Sequence, residues 1–303
     1  MPEYRYLHLD VFTDSPFTGN QLAVFLDAAG LDSDLMQTIA REMAFSETTF
    51  ILPAETSDTD VRVRIFAPST ELPIAGHPTI GTTFALAHEG RIPRGRPTVT
   101  LGLGVGPTPV LLEWESDRLR FAWMMQPVPE FGAIQSDIES LAAALEVEEQ
   151  DIRDTMLPVQ VVSSGVPFLF VPLLSRAAVN AAVLDRGAVR RLCQAAELPE
   201  LPVFVFSLER ADDDATVFSR MFAPVFGIPE DPATGGASGP LGGYLVHHEA
   251  VPAEQATHMV SLQGAKMGRP SRIHISIRAR DGLIEQVRVG GQSVLIGEGT
   301  LQV

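Results

Sequence analysis

The chain has 303 residues, 45% hydrophobic and 20% charged, an ordinary globular composition at a length for which two domains are the default. Its net charge of −16 argues against nucleic acid, because a phosphate backbone requires a concentrated positive surface. Lys266 is the only lysine and no motif surrounds it, and Cys193 is alone; a pyridoxal phosphate anchor is disfavoured, and an internal disulfide or thiolate metal cluster is excluded.

The opening MPEYRYLHLDVF has no basic segment followed by an apolar core, so no secretory signal is expected. No apolar run approaches the length of a bilayer span, and a cytoplasmic location is the default expectation. Gly19 to Leu26 (GNQLAVFL) reads as a buried strand after a glycine turn, and residues 33–44 show helical spacing of apolar positions. Phe45 to Phe50 (FSETTF) leads into a strand at 48–52. Residues 62–86 pass from an alternating run ending in Phe66-Ala67-Pro68, through a Pro/Gly/Thr knot, into an apolar stretch of small residues. Alternation predicts a strand, and the small residues predict a helix packed closely on all sides.

The pattern then returns. Gly165 to Leu173, the helical spacing at 188–197, VFVFSL at 203–208 and the run 217–245, with its own Phe222-Ala223-Pro224, repeat the first series in order. This predicts duplication of a β-α-β-β-α unit. Trp123 to Gly132 (WMMQPVPEFG) is expected to be the linker, and the strand-like tail after Ile273 a closing hairpin. The expected halves are residues 1–126, carrying Glu47 and His77, and residues 127–284, carrying Asp231. Residues 285–303 are a candidate to complete the first half, although pattern alone leaves that choice open. LGLGVGP (101–107) lacks a following helix and predicts a strand-to-strand turn, not a nucleotide loop.

Three features could carry chemistry. His77, before Pro78, is expected just ahead of a helix, where free N–H groups and the dipole attract an anion. Taken alone it reads as a buried helix-capping histidine. Asp231, before Pro232, is by itself a good N-cap. Matching positions in two copies change that balance, because two helix N-termini converging on one cleft make a site for a carboxylate. Glu47 lies between Phe45 and Phe50; a solvated loop glutamate is the common outcome, but in an apolar cleft its pKa would rise toward neutrality and suit proton transfer. Pro202 is near its place in the second copy, so an acid–base pair would be asymmetric. The adjacent His247 and His248 are expected to diverge on a helix and cannot chelate one zinc.

DVFTDSPFTGNQLAVF (10–25), FSETTF (45–50), ELPIAGHPTIG (71–81) and EDPATGGASGPLGGYL (230–245), with QGAKMGRPSR (263–272) as a fifth segment, together resemble the phenazine-biosynthesis isomerases of the PhzF type, within the diaminopimelate epimerase fold superfamily. The resemblance implies an α/β (α+β) fold of two pseudo-symmetric domains, each a curved sheet or barrel wrapped around a central helix, with the site between them. It implies a cofactor-independent isomerase moving a proton on a small amino- or hydroxy-carboxylate, without metal, acting as a homodimer. Glu47 matches the acid–base, His77 the histidine beside the substrate, and Asp231 the carboxylate near its amine. Gly76, Gly235, Gly236, Ser46 and Asn20 are the matching substrate-binding positions. The usual motif reads Asp-Pro-Ala-Thr-Gly-Ser, whereas Gly236 stands here for the serine, and Ser238 lies two residues on. Losing such a hydrogen bond weakens binding by about 1.5–3 kcal/mol. The paired cysteines of proline racemase and diaminopimelate epimerase have no counterpart. The alternative reading is a catalytically silent metabolite-binding or protein-interaction module on the same fold.

Overall fold

The computed structural model describes residues 2–303. The first half runs β1 (Glu3–Val11), β2 (Asn20–Phe25), α1 (Ser33–Met43), β3 (Glu47–Leu52), β4 (Val61–Phe66) and β5 (Glu71–Leu72). It continues through the central helix α2 (Gly76–His88) to β6 (Thr98–Leu103), β7 (Gly106–Glu115) and β8 (Arg118–Gln126). The chain then crosses to β9 (Glu130–Ile134), α3 (Ile138–Leu145), α4 (Glu149–Arg153), β10 (Gln160–Ser163) and β11 (Pro167–Pro172). Next come α5 (Arg176–Ala181), α6 (Arg186–Ala195), β12 (Val203–Ser207), β13 (Val217–Ala223) and β14 (Ile228–Asp231). The second central helix α7 (Gly235–His247) leads to β15 (Met259–Gln263), β16 (Ser271–Arg280), β17 (Leu283–Gly291) and β18 (Ser293–Gln302). All 18 strands of the described residues join one hydrogen-bonded sheet.

The registers show the duplication residue by residue. β2 pairs parallel with β3 and β11 with β12, each across a helical crossover, and β4 and β13 then add antiparallel. Thr48 faces Phe66 while Val203 faces Phe222, so Glu47 and Pro202 hold equivalent positions. Ile65 faces Leu72 while Met221 faces Asp231, so the counterpart of Asp231 is Leu72. The two carboxylates come from different positions in the two copies.

The expected linker is shorter than its prolines suggested. Trp123 to Gln126 lie in β8, whose Met124 faces Val289 of β17, leaving residues 127–129 as the crossing. The chain crosses back at Gln292, and β18 pairs with β1. The first half thus takes its closing strand, β18, from beyond the second half. β6 and β7 join through the two-residue turn at Gly104-Val105, the strand-to-strand turn predicted for that glycine run.

Each sheet curls around its central helix, α2 against β1, β2, β3, β8 and β18, and α7 against β10, β16 and β17. Small side chains permit this enclosure. α2 is buried from Gly76 through Leu86, and its Thr79 and Thr83 hydroxyls donate to the Ala75 and Thr79 carbonyls at 2.7 and 2.8 Å. Those bonds satisfy hydroxyls that would otherwise be costly to bury. The main apolar cluster is continuous through both halves, from Leu9 and Ile80 to Phe170, Tyr244 and Ile275.

His247 and His248 do not diverge as expected. Their ring centroids are 4.8 Å apart, His247 stacks on Phe131, and His248 meets the Gln160 amide oxygen at 2.8 Å. Cys193 is buried in α6.

Candidate active site

Each functional side chain is delivered by a local chain feature. Asp32 caps α1 by accepting from the Leu35 N–H, and Ala44, left-handed at φ 55°, ends the helix and turns the chain inward. Phe45 and Ser46 follow, and Glu47 opens β3 opposite Leu22 rather than lying in a solvated loop. Its side chain is buried. His77 is the second residue of α2, inside its first turn and not ahead of it, with Ala75 as the N-cap. Asp231 is not a cap either. It ends β14, and Thr234 occupies the N-cap position of α7.

The two helices meet end to end. A methyl group added at Gly76 would lie 2.3 Å from the Gly235 Cα, so only glycine permits this approach. The N–H groups of the first helical turns have no intrahelical acceptor. Those of Gly76, His77, Gly235 and Gly236 therefore border the contact, and both positive dipole ends converge there.

A pocket opens beside this junction, with about 520 Å³ of empty space, its open mouth included. Glu47, His77, Asp231, Thr234, Gly76, Gly235 and Gly236 form its polar side. Leu72, Ile74, Val166, Phe168, Phe226 and Ile228 form much of the rest, and no arginine or lysine lines it. Among the described residues, no group of three or more His, Cys, Asp or Glu is placed to hold a metal ion.

The Glu47 Oε2 lies 3.4 Å from the His77 Nε2, and neither atom has a hydrogen-bond partner. Asn20 organises the other side. Its Nδ2 donates to the Asp231 Oδ1 at 2.7 Å and the Ala233 carbonyl at 2.9 Å. The same Nδ2 lies 3.1 Å from the His77 Nδ1. A backbone hydrogen bond to Gln21 also reaches the His77 ring.

Burial sets the charge states. It pushes the Glu47 carboxyl well above the ordinary range, and the negative charge of Asp231 pushes the same way. It lowers His77 to about 3, against the favourable Gln21 carbonyl. Both shifts disfavour the charged forms of Glu47 and His77. Burial raises Asp231 to about 6; the Ser46 hydroxyl, the Thr234 hydroxyl and the Asn20 amide oppose this rise, and Glu230 adds to it.

All eight residues named from sequence gather within this region. Ser46 and Asn20 stand at Asp231, and the three glycines at the helix junction. Ser238 does not replace the missing Gly236 hydroxyl, since its Oγ donates to the Thr234 carbonyl at 2.9 Å inside α7. Sequence reasoning missed Ser164, which lines the pocket with a buried Oγ lacking any partner. The repeat offered a signal, because Ser164-Gly165 matches Thr18-Gly19 ahead of equivalent strands. It also missed Gln263, whose amide donates to the Asp231 carbonyl at 2.7 Å and accepts from the Thr234 N–H at 3.0 Å.

Comparison with known proteins agrees with this architecture. The family described as phenazine biosynthesis-like protein matches residues 9–299. The trans-2,3-dihydro-3-hydroxyanthranilate isomerase of Pseudomonas aeruginosa is 36% identical over 98% of both chains. A phenazine biosynthesis protein of the PhzF family from Bacillus anthracis superposes with a TM-score of 0.88 at 26% identity, covering all of both chains. A probable proline racemase from Agrobacterium radiobacter shares the fold, with a TM-score of 0.70 at 13% identity, covering 99% of this chain and 93% of that one. With its duplicated frames, its end-to-end central helices and these relatives, the chain belongs to the phenazine biosynthesis-like family and is an isomerase.

Proposed function

We propose that the enzyme catalyses a cofactor-independent proton shift, or an epimerisation, on a small amino- or hydroxy-carboxylate, with Glu47 as general acid–base. The observation that carries this reading is the buried Glu47–His77 contact, unpartnered on both atoms and opening into a pocket at two converging helix N-termini. With no cationic side chain lining the pocket, the N–H groups of Gly76, Gly235 and Gly236 are the natural anchors for a substrate carboxylate.

The substrate amine or hydroxyl faces Asp231, which Asn20, Ser46 and Thr234 hold in place. An ammonium group there offsets the Asp231 charge and lowers the pKa of Glu47, so that binding itself favours the carboxylate needed to act as base. Glu47 takes a proton from the substrate carbon, leaving its electron pair conjugated with the substrate. It returns the proton to another carbon in a shift, or to the other face in an epimerisation. The His77 Nε2, 3.4 Å from the Glu47 Oε2, steadies the carboxyl while the proton moves.

The expected halves, 1–126 with the tail from about 285 and 127–284, belong to this reading, supported by β18 pairing with β1. So do the homodimer and the cytoplasmic location. Among the described residues no helix is long and apolar enough to cross a membrane. Incubating a panel of amino- and hydroxy-carboxylates in deuterated water, with exchange followed by NMR, tests the reaction. Ligand binding in the cleft with no exchange and no turnover across the panel would leave a silent binding module instead.

A further inference from the structure

Two motifs from opposite ends of the chain, DVFTDSPFTGN and QGAKMGRPSR, meet beside the pocket, and apart from Asn20 and Gln263 they contribute no group to the site. The loop between β1 and β2 carries Phe12 and Phe17 in left-handed conformations, at φ 63° and 67°. Such residues persist only where neighbouring structure holds them. Asp10 supplies part of that hold. One carboxylate oxygen accepts from the Phe17 N–H at 2.7 Å and the other meets the Arg269 Nη2 at 2.5 Å.

Arg269 also donates from Nε to the Gly19 carbonyl at 2.8 Å and from Nη2 to the Thr18 carbonyl at 2.9 Å. The backbone adds two further ties, from Gly19 N–H to the Pro270 carbonyl at 3.2 Å and from Arg272 N–H to the Phe12 carbonyl at 2.8 Å. Two of these ties end at Gly19, the residue preceding Asn20, and the others at Thr18, Asp10 and Phe12. The same segment begins at Gln263, which grips the Asp231–Thr234 knot, and Gly264 packs its backbone against Pro232. One stretch therefore holds both sides of the Asn20–Asp231 contact, which bridges the two halves.

We propose that Arg269 is a positioning residue: through Asp10 and the Thr18–Gly19 backbone it holds the Asn20 amide on Asp231 and beside His77. The forked guanidinium suits this task, since it binds the carboxylate and two carbonyls at once, which the point charge of a lysine does less well. Its significance for catalysis rests on the proposed role of Asp231; the placement of Asn20 does not.

The test is NMR titration of protein labelled with carboxyl-13C aspartate, the Asp231 signal being identified by its loss in Asp231→Asn. Asn20 favours the charged carboxylate, so its displacement in Arg269→Gln moves the Asp231 midpoint upward by about half a pH unit or more. Arg269→Lys moves it less. Glu47 on β3, His77 on α2 and Glu230 on β14, the other titratable groups around Asp231, are unchanged in these variants. Turnover falls about tenfold with KM within about threefold, because an interaction that matters in the transition state has been loosened.

An unmoved Asp231 midpoint in folded Arg269→Gln overturns the proposal, whatever happens to the melting temperature. If that variant does not fold, the nearly isosteric Asp10→Asn carries the same criterion. A midpoint that moves in a protein turning over no substrate supports the placement and sinks the proposed proton shift instead.

Discussion

The Glu47 Oε2 and the His77 Nε2 face each other at 3.4 Å across the mouth of α2, each buried and each without another partner. One comes from a strand and the other from a helix of the same half, while Asp231 arrives from the other half. Glu47 is the group that the proposed reaction would load with the substrate proton.

Replacing Glu47 by Gln keeps the shape and removes the titrating oxygen. Solvent-deuterium exchange into the substrate is expected to fall by a factor of about 10² to 10⁴, the usual contribution of a positioned acid–base, with circular dichroism unchanged. Exchange at the wild-type rate in this variant removes Glu47 from the role of base.

Stability against pH carries a second signature. Asp231 titrates at about 6 when folded against an ordinary 3.8. The folded protein therefore keeps a proton that the unfolded chain loses, and the Asp231 contribution to stability falls between about pH 4 and 6, by on the order of 3 kcal/mol. His77, at about 3 against an ordinary 6.5, acts in the opposite direction: the unfolded chain binds the extra proton, and stability rises over that interval. In the wild type the two act against each other, and the raised Glu47 carboxyl adds to the fall. Urea melts at several pH values should show Asp231→Asn gaining stability more steeply with pH than wild type, and His77→Asn less steeply. Parallel curves for all three proteins contradict these charge states.

The helix junction separates two glycines that look alike in sequence. Gly76→Ala drives a methyl group to 2.3 Å from the Gly235 Cα. It should lower stability by about 1–3 kcal/mol and reduce kcat/KM by about a hundredfold or more as the anchoring N–H groups separate. At Gly236 the nearest atoms to an added Cβ are 3.8 and 4.0 Å away. Gly236→Ser should therefore melt near wild type and bind its carboxylate substrate about tenfold more tightly, the value of one hydrogen bond to a charged group. Melting curves and steady-state kinetics on both variants check the pair.

Ser164 should give opposite signs in stability and function. Removing a buried hydroxyl without a partner is neutral or slightly stabilising, so Ser164→Ala should melt at or above the wild-type temperature. If the Oγ contacts substrate, KM rises by about fivefold or more, for the loss of about 1 kcal/mol. Unchanged KM with raised stability makes Ser164 a packing residue.

The repeat was legible because it is written in local pattern. Phe66-Ala67-Pro68 and Phe222-Ala223-Pro224 mark equivalent strand ends, and the small-residue runs after them are the two enclosed helices. Partners distant in sequence were not legible. Asp231 reads as a cap because Asp-Pro favours one locally, yet its oxygens are claimed by Asn20, 211 residues away, and by Thr234. The two prolines suggested that 123–132 links the halves, but pairing across the seam draws Trp123 to Gln126 into β8. His247 and His248 were expected apart because only their helix was considered, whereas Phe131 and Tyr244 gather both rings.

The returning strand also decides how such a molecule can come apart. β17 of the second half pairs with β8 of the first, β18 returns to complete the first, and one apolar cluster runs through both. Neither half is a closed unit of structure, despite the likeness of their sequences. Cutting the backbone between Pro127 and Pro129 should therefore yield two pieces that stay associated and melt in a single transition, not two independently folded fragments.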